Sequence, residues 1–247
     1  MAFFLTGGLP WSVSAALPPR SPGFIPVGNK PPSMTPVQSS PSLYLFILDT
    51  MSDWEAGYLL SELGSGRFFI NPSERYTLRL CGQTPDAVKT MGGMHLTPEI
   101  LIDEIEPAPG DLLVLPGGNT WLDPARKPVI TVVEELMSTG ILIGAICGAT
   151  MGLANAGLLN TRPHTSNDPE VLKMFCPGYS GGDWYVHEPA VTDGNLITAS
   201  GLAPVAFTYQ ILKKLGVMRE STVNAWYQLN RTGEPEWFYA LMESMKS

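Results

Sequence analysis

Residues 141–158 read Ile-Leu-Ile-Gly-Ala-Ile-Cys-Gly-Ala-Thr-Met-Gly-Leu-Ala-Asn-Ala-Gly-Leu, and this stretch restricts the possible folds more than any other. An apolar run with the length of a buried strand stops at one cysteine, Cys147. Gly144, Ala145, Gly148 and Ala149 crowd around it, and a helix-like stretch follows. That is the layout of a nucleophile elbow. A sharp strand-to-helix turn, too tight for large neighbours, lifts one side chain above the carboxyl edge of a parallel sheet. A cysteine so placed sits at a helix N-terminus, where the dipole and free N–H groups favour the thiolate. A free cysteine without such context is by default a small core hydrophobe. That default holds for Cys81 and Cys176, which lack the strand–Cys–Gly–small–helix context.

The pattern from Ser42 onward is α/β. Leu43–Leu48 reads as a continuous apolar strand, and Asp53–Leu63 as a helix with Trp54, Tyr58 and Leu59 on one face. Phe68–Ile70 and Tyr76–Leu80 read as strands. Lys89–His95 reads as a hairpin turn between short strands. Asp111–Leu115 is a buried strand ending in Pro116-Gly117-Gly118. Lys127–Ser138 is a helix, Ile141–Ile146 the elbow strand, and Gly157 the C′ glycine of the elbow helix. Short strands at Tyr185–His187 and Leu196–Ala199 precede helices at Pro204–Leu215, Glu220–Asn230 and Glu236–Met245. Strands alternating with helices imply a mostly parallel sheet covered on both faces, with ligands outside the carboxyl ends of its strands.

Residues 1–41 are set apart by their Pro, Ser and Gly content, with Arg20 and Lys30 as the charged residues among them. They are expected to be a disordered extension, with Met34 an alternative start and an organelle address the minor reading. Residues 42–216 form the α/β domain and 217–247 a C-terminal helical extension. A net charge of −8 without a basic cluster argues against a nucleic-acid partner. No apolar run reaches the roughly 18–20 residues of a membrane span. Three cysteines without a C-x-x-C motif and three histidines without ligand spacing call for neither a disulfide framework nor a metal, and no cofactor is expected. A reducing cytoplasm is the default compartment.

Three features meet on the carboxyl edge: the segment after the first strand, the Gly117-Gly118 turn and Cys147. A thiol of ordinary pKa is only a few per cent ionised at neutral pH, so a nucleophile needs support. A buried, protonated Glu55 is placed to donate a hydrogen bond to the thiolate. Ser52-Asp53-Trp54-Glu55 also matches a capping box, in which Glu55 would serve the helix instead. The Gly118 and Gly148 amides are candidates for an oxyanion hole. His164, past the elbow helix, is the candidate general base, with a solvated or hydrogen-bonded bystander as its other reading. His187-Glu188 falls beside a hairpin signal at Thr192–Asn195, and His95 sits in a strand pattern; both are read as structural. Trp226, Tyr227, Trp237, Phe238 and Tyr239 are read as core or as a dimer face.

Asp53-Trp54-Glu55, Leu-Pro-Gly-Gly at 115–118, Ala-Ile-Cys-Gly-Ala-Thr at 145–150, Gly-Leu-Leu-Asn…His-Thr-Ser-Asn at 157–167 and Asp-Gly-Asn-Leu-Ile-Thr-Ala at 193–199 follow one another in a known order. That order resembles the DJ/PfpI family of the class I glutamine amidotransferase-like superfamily, over roughly residues 42–216. The resemblance implies a flavodoxin-like three-layer α/β/α sandwich, usually a homodimer. It also implies Cys147 as the reactive cysteine, Glu55 as its protonated partner, and the Gly118 and Gly148 amides around the site. Two departures limit it. Gly148 stands where the family's intracellular proteases carry histidine, and Ser200-Gly201-Leu202-Ala203-Pro204 stands where glutaminases carry His-x-Glu. The expected activity is therefore a cysteine-dependent hydrolase or lyase reaction on a small carbonyl or amide substrate, of the glyoxalase or deglycase kind. A redox-responsive, stress-protective protein without turnover is the second reading, and a glutaminase subunit the last.

Overall fold

A computed structural model describes residues 40–246. The extension expected at 1–41 lies outside the described residues except for its last two. The elements are β1 (Ser42–Phe46), α1 (Gly57–Ser65), β2 (Thr77–Gly82), β3 (Val88–Lys89), β4 (His95–Leu96), β5 (Ile100–Leu101) and β6 (Leu112–Leu115). There follow α2 (Lys127–Ser138), β7 (Leu142–Ile146), α3 (Gly148–Asn155), α4 (Pro169–Phe175), β8 (Ala190–Asp193) and β9 (Leu196–Ala199). Three helices close the chain: α5 (Pro204–Leu215), α6 (Glu220–Thr232) and α7 (Pro235–Ser244).

Seven strands form one sheet in the order β5-β2-β1-β6-β7-β9-β8. All neighbours are parallel except β8 and β9, which form an antiparallel hairpin closed at Gly194. The central strands β1, β6 and β7 read as unbroken apolar runs because helices cover both faces of the sheet, as their nearly complete burial shows. β7 lies in register with β6 on one side (Leu115 opposite Ala145) and with β9 on the other (Ile146 opposite Ala199). The carboxyl ends of β6, β7 and β9 therefore stop at the same height. The sheet order turns back at β1, which β2 flanks on one side and β6 on the other. Open α/β sheets bind ligands at such a reversal.

The expected helix 127–138 and the 89–95 hairpin are present, and Gly157 follows α3 at φ 78° as its C′ residue. Some expectations fail for local reasons. The first helix begins at Gly57 rather than Asp53, because Ser52 and Glu55 bond to the Gly117 turn instead of capping a helix. Phe68–Ile70 is a turn: the Phe69 N–H bonds to Gly66 and the Ile70 N–H to Val217, and only Phe69 is buried. Tyr185 makes a single bridge to His164 rather than opening a strand. Helix α4 was unforeseen, although its Asp168 caps the Glu170 and Val171 N–H groups and Pro169 opens its first turn. Among the helices after β9, α6 is tied to α1 by the buried Trp226, whose indole N–H donates to Glu62 at 2.9 Å. Phe238 and Tyr239 on α7 are exposed. No described helix is long and apolar enough to cross a membrane.

Candidate active site

Cys147 ends β7 in a conformation that side chains rarely adopt, φ 59° and ψ −123°. The strain is held from both sides. Its N–H donates to Ala199 at the end of β9, and its carbonyl accepts from the Thr150 hydroxyl at 2.6 Å. The small neighbours have a steric cause. A Cβ on Gly148 would come within 2.6 Å of the Gly118 carbonyl oxygen, so the 116–118 turn packs backbone against backbone on the first turn of α3. This is the elbow geometry expected for a raised nucleophile. Cys147 is half-buried, whereas Cys81 and Cys176 are buried.

Glu55 has no solvent exposure. The Gly117 N–H donates to its Oε2 at 2.5 Å, while Oε1 accepts no hydrogen bond among the described residues. Glu55 and Cys147 meet beside Gly117: a Cβ there would collide with both side chains, at 2.7 Å from Oε1 and 2.8 Å from the cysteine Cβ. The capping alternative therefore falls, since Glu55 faces the cysteine. Burial pushes the Glu55 carboxyl up, against the pull of the Gly117 N–H, the Cys147 thiol and the Ser52 hydroxyl. Burial also pushes the Cys147 thiol up; the Asn167 amide opposes this, the Glu55 carboxylate adds to it, and the Gly148 N–H pulls the other way. Burial and the neighbouring carboxyl thus oppose the help that the helix N-terminus gives the thiolate. Each charge disfavours the other, so the two groups do not titrate independently.

His164 does not reach the cysteine. It is fully buried, with Nδ1 2.8 Å from the Arg162 carbonyl and Nε2 2.9 Å from the Tyr179 hydroxyl. A carbonyl can only accept, so Nδ1 carries the proton and Nε2 accepts from Tyr179. Burial lowers its pKa and keeps the ring neutral. With both nitrogens engaged and Tyr179 and Tyr185 edge-on to the ring, His164 is a loop anchor rather than a general base.

The residue pattern gave no signal for Asn167, three positions further on. Thr165 N–H bonds the Thr198 hydroxyl and Ser166 bonds Thr150, which fixes the loop between β9 and α3. Asn167 then projects to the mouth of the site, its Nδ2 3.3 Å from Cys147 Sγ. Its Oδ1 accepts from the Gly201 N–H at 2.8 Å. Gly201 closes the wall after β9: a Cβ there would stand 2.7 Å from Sγ. The Trp54 indole N–H holds the Gly201 carbonyl at 3.2 Å. Among the described residues, no group of three His, Cys, Asp or Glu side chains could hold a metal ion.

The chain is similar to known proteins. The chain is 45% identical over 203 residues to a Bacillus subtilis (strain 168) protein named uncharacterized protease YoaZ, covering 82% of this chain and 97% of that one. It is 27% identical over 124 residues to glutathione-independent glyoxalase DJR-1.2 of Caenorhabditis elegans, covering 49% of this chain and 62% of the relative. The crystal structure of the thiJ/pfpI family protein from Bacillus anthracis superposes with a TM-score of 0.80 at 43% identity, covering 84% of this chain and 98% of that chain. The DJ-1/PfpI family model matches residues 41–214, which takes in the elbow, the Glu55 loop and the Gly117-Gly118 turn. The chain belongs to the DJ-1/PfpI family.

Proposed function

We propose that this protein is a cysteine-dependent enzyme of the hydrolase or lyase type, with Cys147 as nucleophile and a small carbonyl or amide compound as substrate. One observation carries the reading: the half-buried thiol of a strained elbow stands beside a fully buried carboxyl that hydrogen-bonds with it. In the first step Sγ bonds to the carbonyl carbon and the carbonyl π pair moves to oxygen. The thiol proton passes to Glu55 and from there to the new alkoxide, so nothing is lost or gained. The Gly118 and Gly148 amides lie at the elbow, where that alkoxide would form. The protease, glyoxalase and deglycase names of relatives support this class of chemistry. Gly148 in place of the proteases' histidine favours a small substrate over a peptide. Free cysteines support a reducing, cytoplasmic compartment, and the family resemblance supports a homodimer.

Turnover of methylglyoxal and of small amides by the wild type and by Cys147→Ala tests the proposal. Loss of turnover in the variant is expected, and equal rates in both would reject it. The half-exposure of Cys147 against two buried cysteines favours a second reading, selective oxidation of this thiol by peroxide in a redox-responsive role. A glutaminase role ranks last, because the Ser200-Gly201 backbone lies where that chemistry needs a histidine.

A further inference from the structure

We propose that Asn167 is a catalytic residue of this site: a neutral amide that binds the Cys147 sulfur and stabilises its anion in the place a basic side chain would occupy. The inference rests on Cys147 being the reacting group.

The orientation of the amide is determined by its partners. Gly201 N–H can only donate, so the atom facing it at 2.8 Å is the acceptor Oδ1, which the Ser200 hydroxyl also approaches at 3.4 Å. The opposite corner, at 3.3 Å from Sγ, must then be the Nδ2 donor. A donor aimed at sulfur is worth little to a neutral thiol, which accepts weakly, and much more to a thiolate. The interaction therefore strengthens as the anion forms, which raises the fraction of Cys147 present as the nucleophilic thiolate.

The surrounding titratable groups leave this task to Asn167. On the β1 side, Glu55 is the one ionisable group acting on the sulfur, and as a carboxylate it opposes the anion. On the 162–168 loop, His164 is held away by Arg162 and Tyr179, and Asp168 is turned into the first turn of α4. The elbow and the 116–118 and 200–201 segments contribute backbone N–H groups and glycines. A site built this way has no base other than Glu55, and an amide does not titrate. The reactivity of Cys147 should thus follow the Cys147–Glu55 pair alone.

The discriminating variant is Asn167→Asp. It keeps an Oδ acceptor for Gly201 N–H, so the loop latch survives, but it replaces the donor facing Sγ with carboxylate oxygen. A like charge within hydrogen-bond distance is expected to raise the half-maximal pH of the thiolate by about one unit or more. The readout is the second-order rate of iodoacetamide labelling of the full chain from pH 5 to 10, assigned to Cys147 by peptide mapping, with circular dichroism confirming the fold. We expect labelling at pH 7 to fall about tenfold in Asn167→Asp. Asn167→Ala, which removes the donor without adding charge, should shift the profile in the same direction by less. An unchanged profile in either folded variant, with normal labelling of the wild type, would overturn the role of Asn167 and leave the nucleophile intact. Failure of the wild type to label at Cys147 would overturn both.

Discussion

Replacing Gly201 by alanine places one methyl group in the tightest part of the site. Its carbon would stand 2.7 Å from Cys147 Sγ, 2.8 Å from the cysteine Cβ and 3.1 Å from Glu55 Oε1. Favourable contact needs about 3.5–4.0 Å, so about 1 Å of movement is required. None of the neighbours yields easily. The cysteine is fixed by its strained backbone, and Glu55 is fully buried and bonded to Gly117. The 200–203 segment must shift instead, at the expense of the Gly201 bonds to Asn167 and Trp54. Overpacking costs about 1–3 kcal/mol and each weakened hydrogen bond about 1 kcal/mol. We expect a loss of about 3–5 kcal/mol, which at this chain length lowers Tm by roughly 6–20 °C. The control is Gly64→Ala, an exposed position within α1 with nothing inside 4 Å of the new carbon. It should gain up to about 0.5–1 kcal/mol from helix propensity. Thermal melts and the labelling rate of Cys147 read both variants. A Gly201→Ala protein that melts with the wild type and labels at its rate would refute the packing of the 201 backbone on the nucleophile.

Two further expectations follow from the buried polar groups. Tyr179→Phe leaves His164 Nε2 without a donor, so it should cost about 1–3 kcal/mol in denaturant unfolding while Cys147 labelling is unchanged; a loss of labelling would return His164 to the chemistry. Glu55 has its folded pKa raised by burial, so its contribution to stability is fully present below the unfolded carboxyl pKa and is lost as pH rises through the folded one. Glu55→Gln removes that loss. Its Tm relative to wild type should therefore climb between pH 4 and neutrality, and a difference that stays flat would show that the carboxyl does not titrate abnormally.

The parallel core was legible in the sequence because strands buried on both faces, such as Leu112–Leu115 and Leu142–Ile146, need no alternation and stand out as apolar runs. The elbow was legible because its sterics demand small residues at fixed spacing. Glu55 was found, but its two roles could not be separated: the Ser52–Glu55 spacing serves a helix cap and an edge loop equally, and only the Gly117 N–H decides between them. His164 was misread because residue type carries no orientation. The loop that buries it with Tyr179 also delivers Asn167, a residue without chemistry of its own until a donor to Oδ1 fixes which corner faces sulfur. The Phe68–Ile70 turn shows the same limit on a smaller scale, since local propensity was outweighed by the contact to Val217, whereas α4 carried a local signal in Asp168-Pro169 that went unread.

The central claim is that Cys147 and Glu55 titrate as one coupled pair, passing through a state in which they share a single proton. Its most direct test is the pH dependence of iodoacetamide labelling at Cys147 in the wild type and in Glu55→Gln. A shared proton gives two rises in the wild-type rate, one as the pair loses its first proton and one as it loses its second, and a single rise once Glu55 is amidated. One rise with the same midpoint in both proteins would contradict the claim, leaving the cysteine and the carboxyl as neighbours that do not interact.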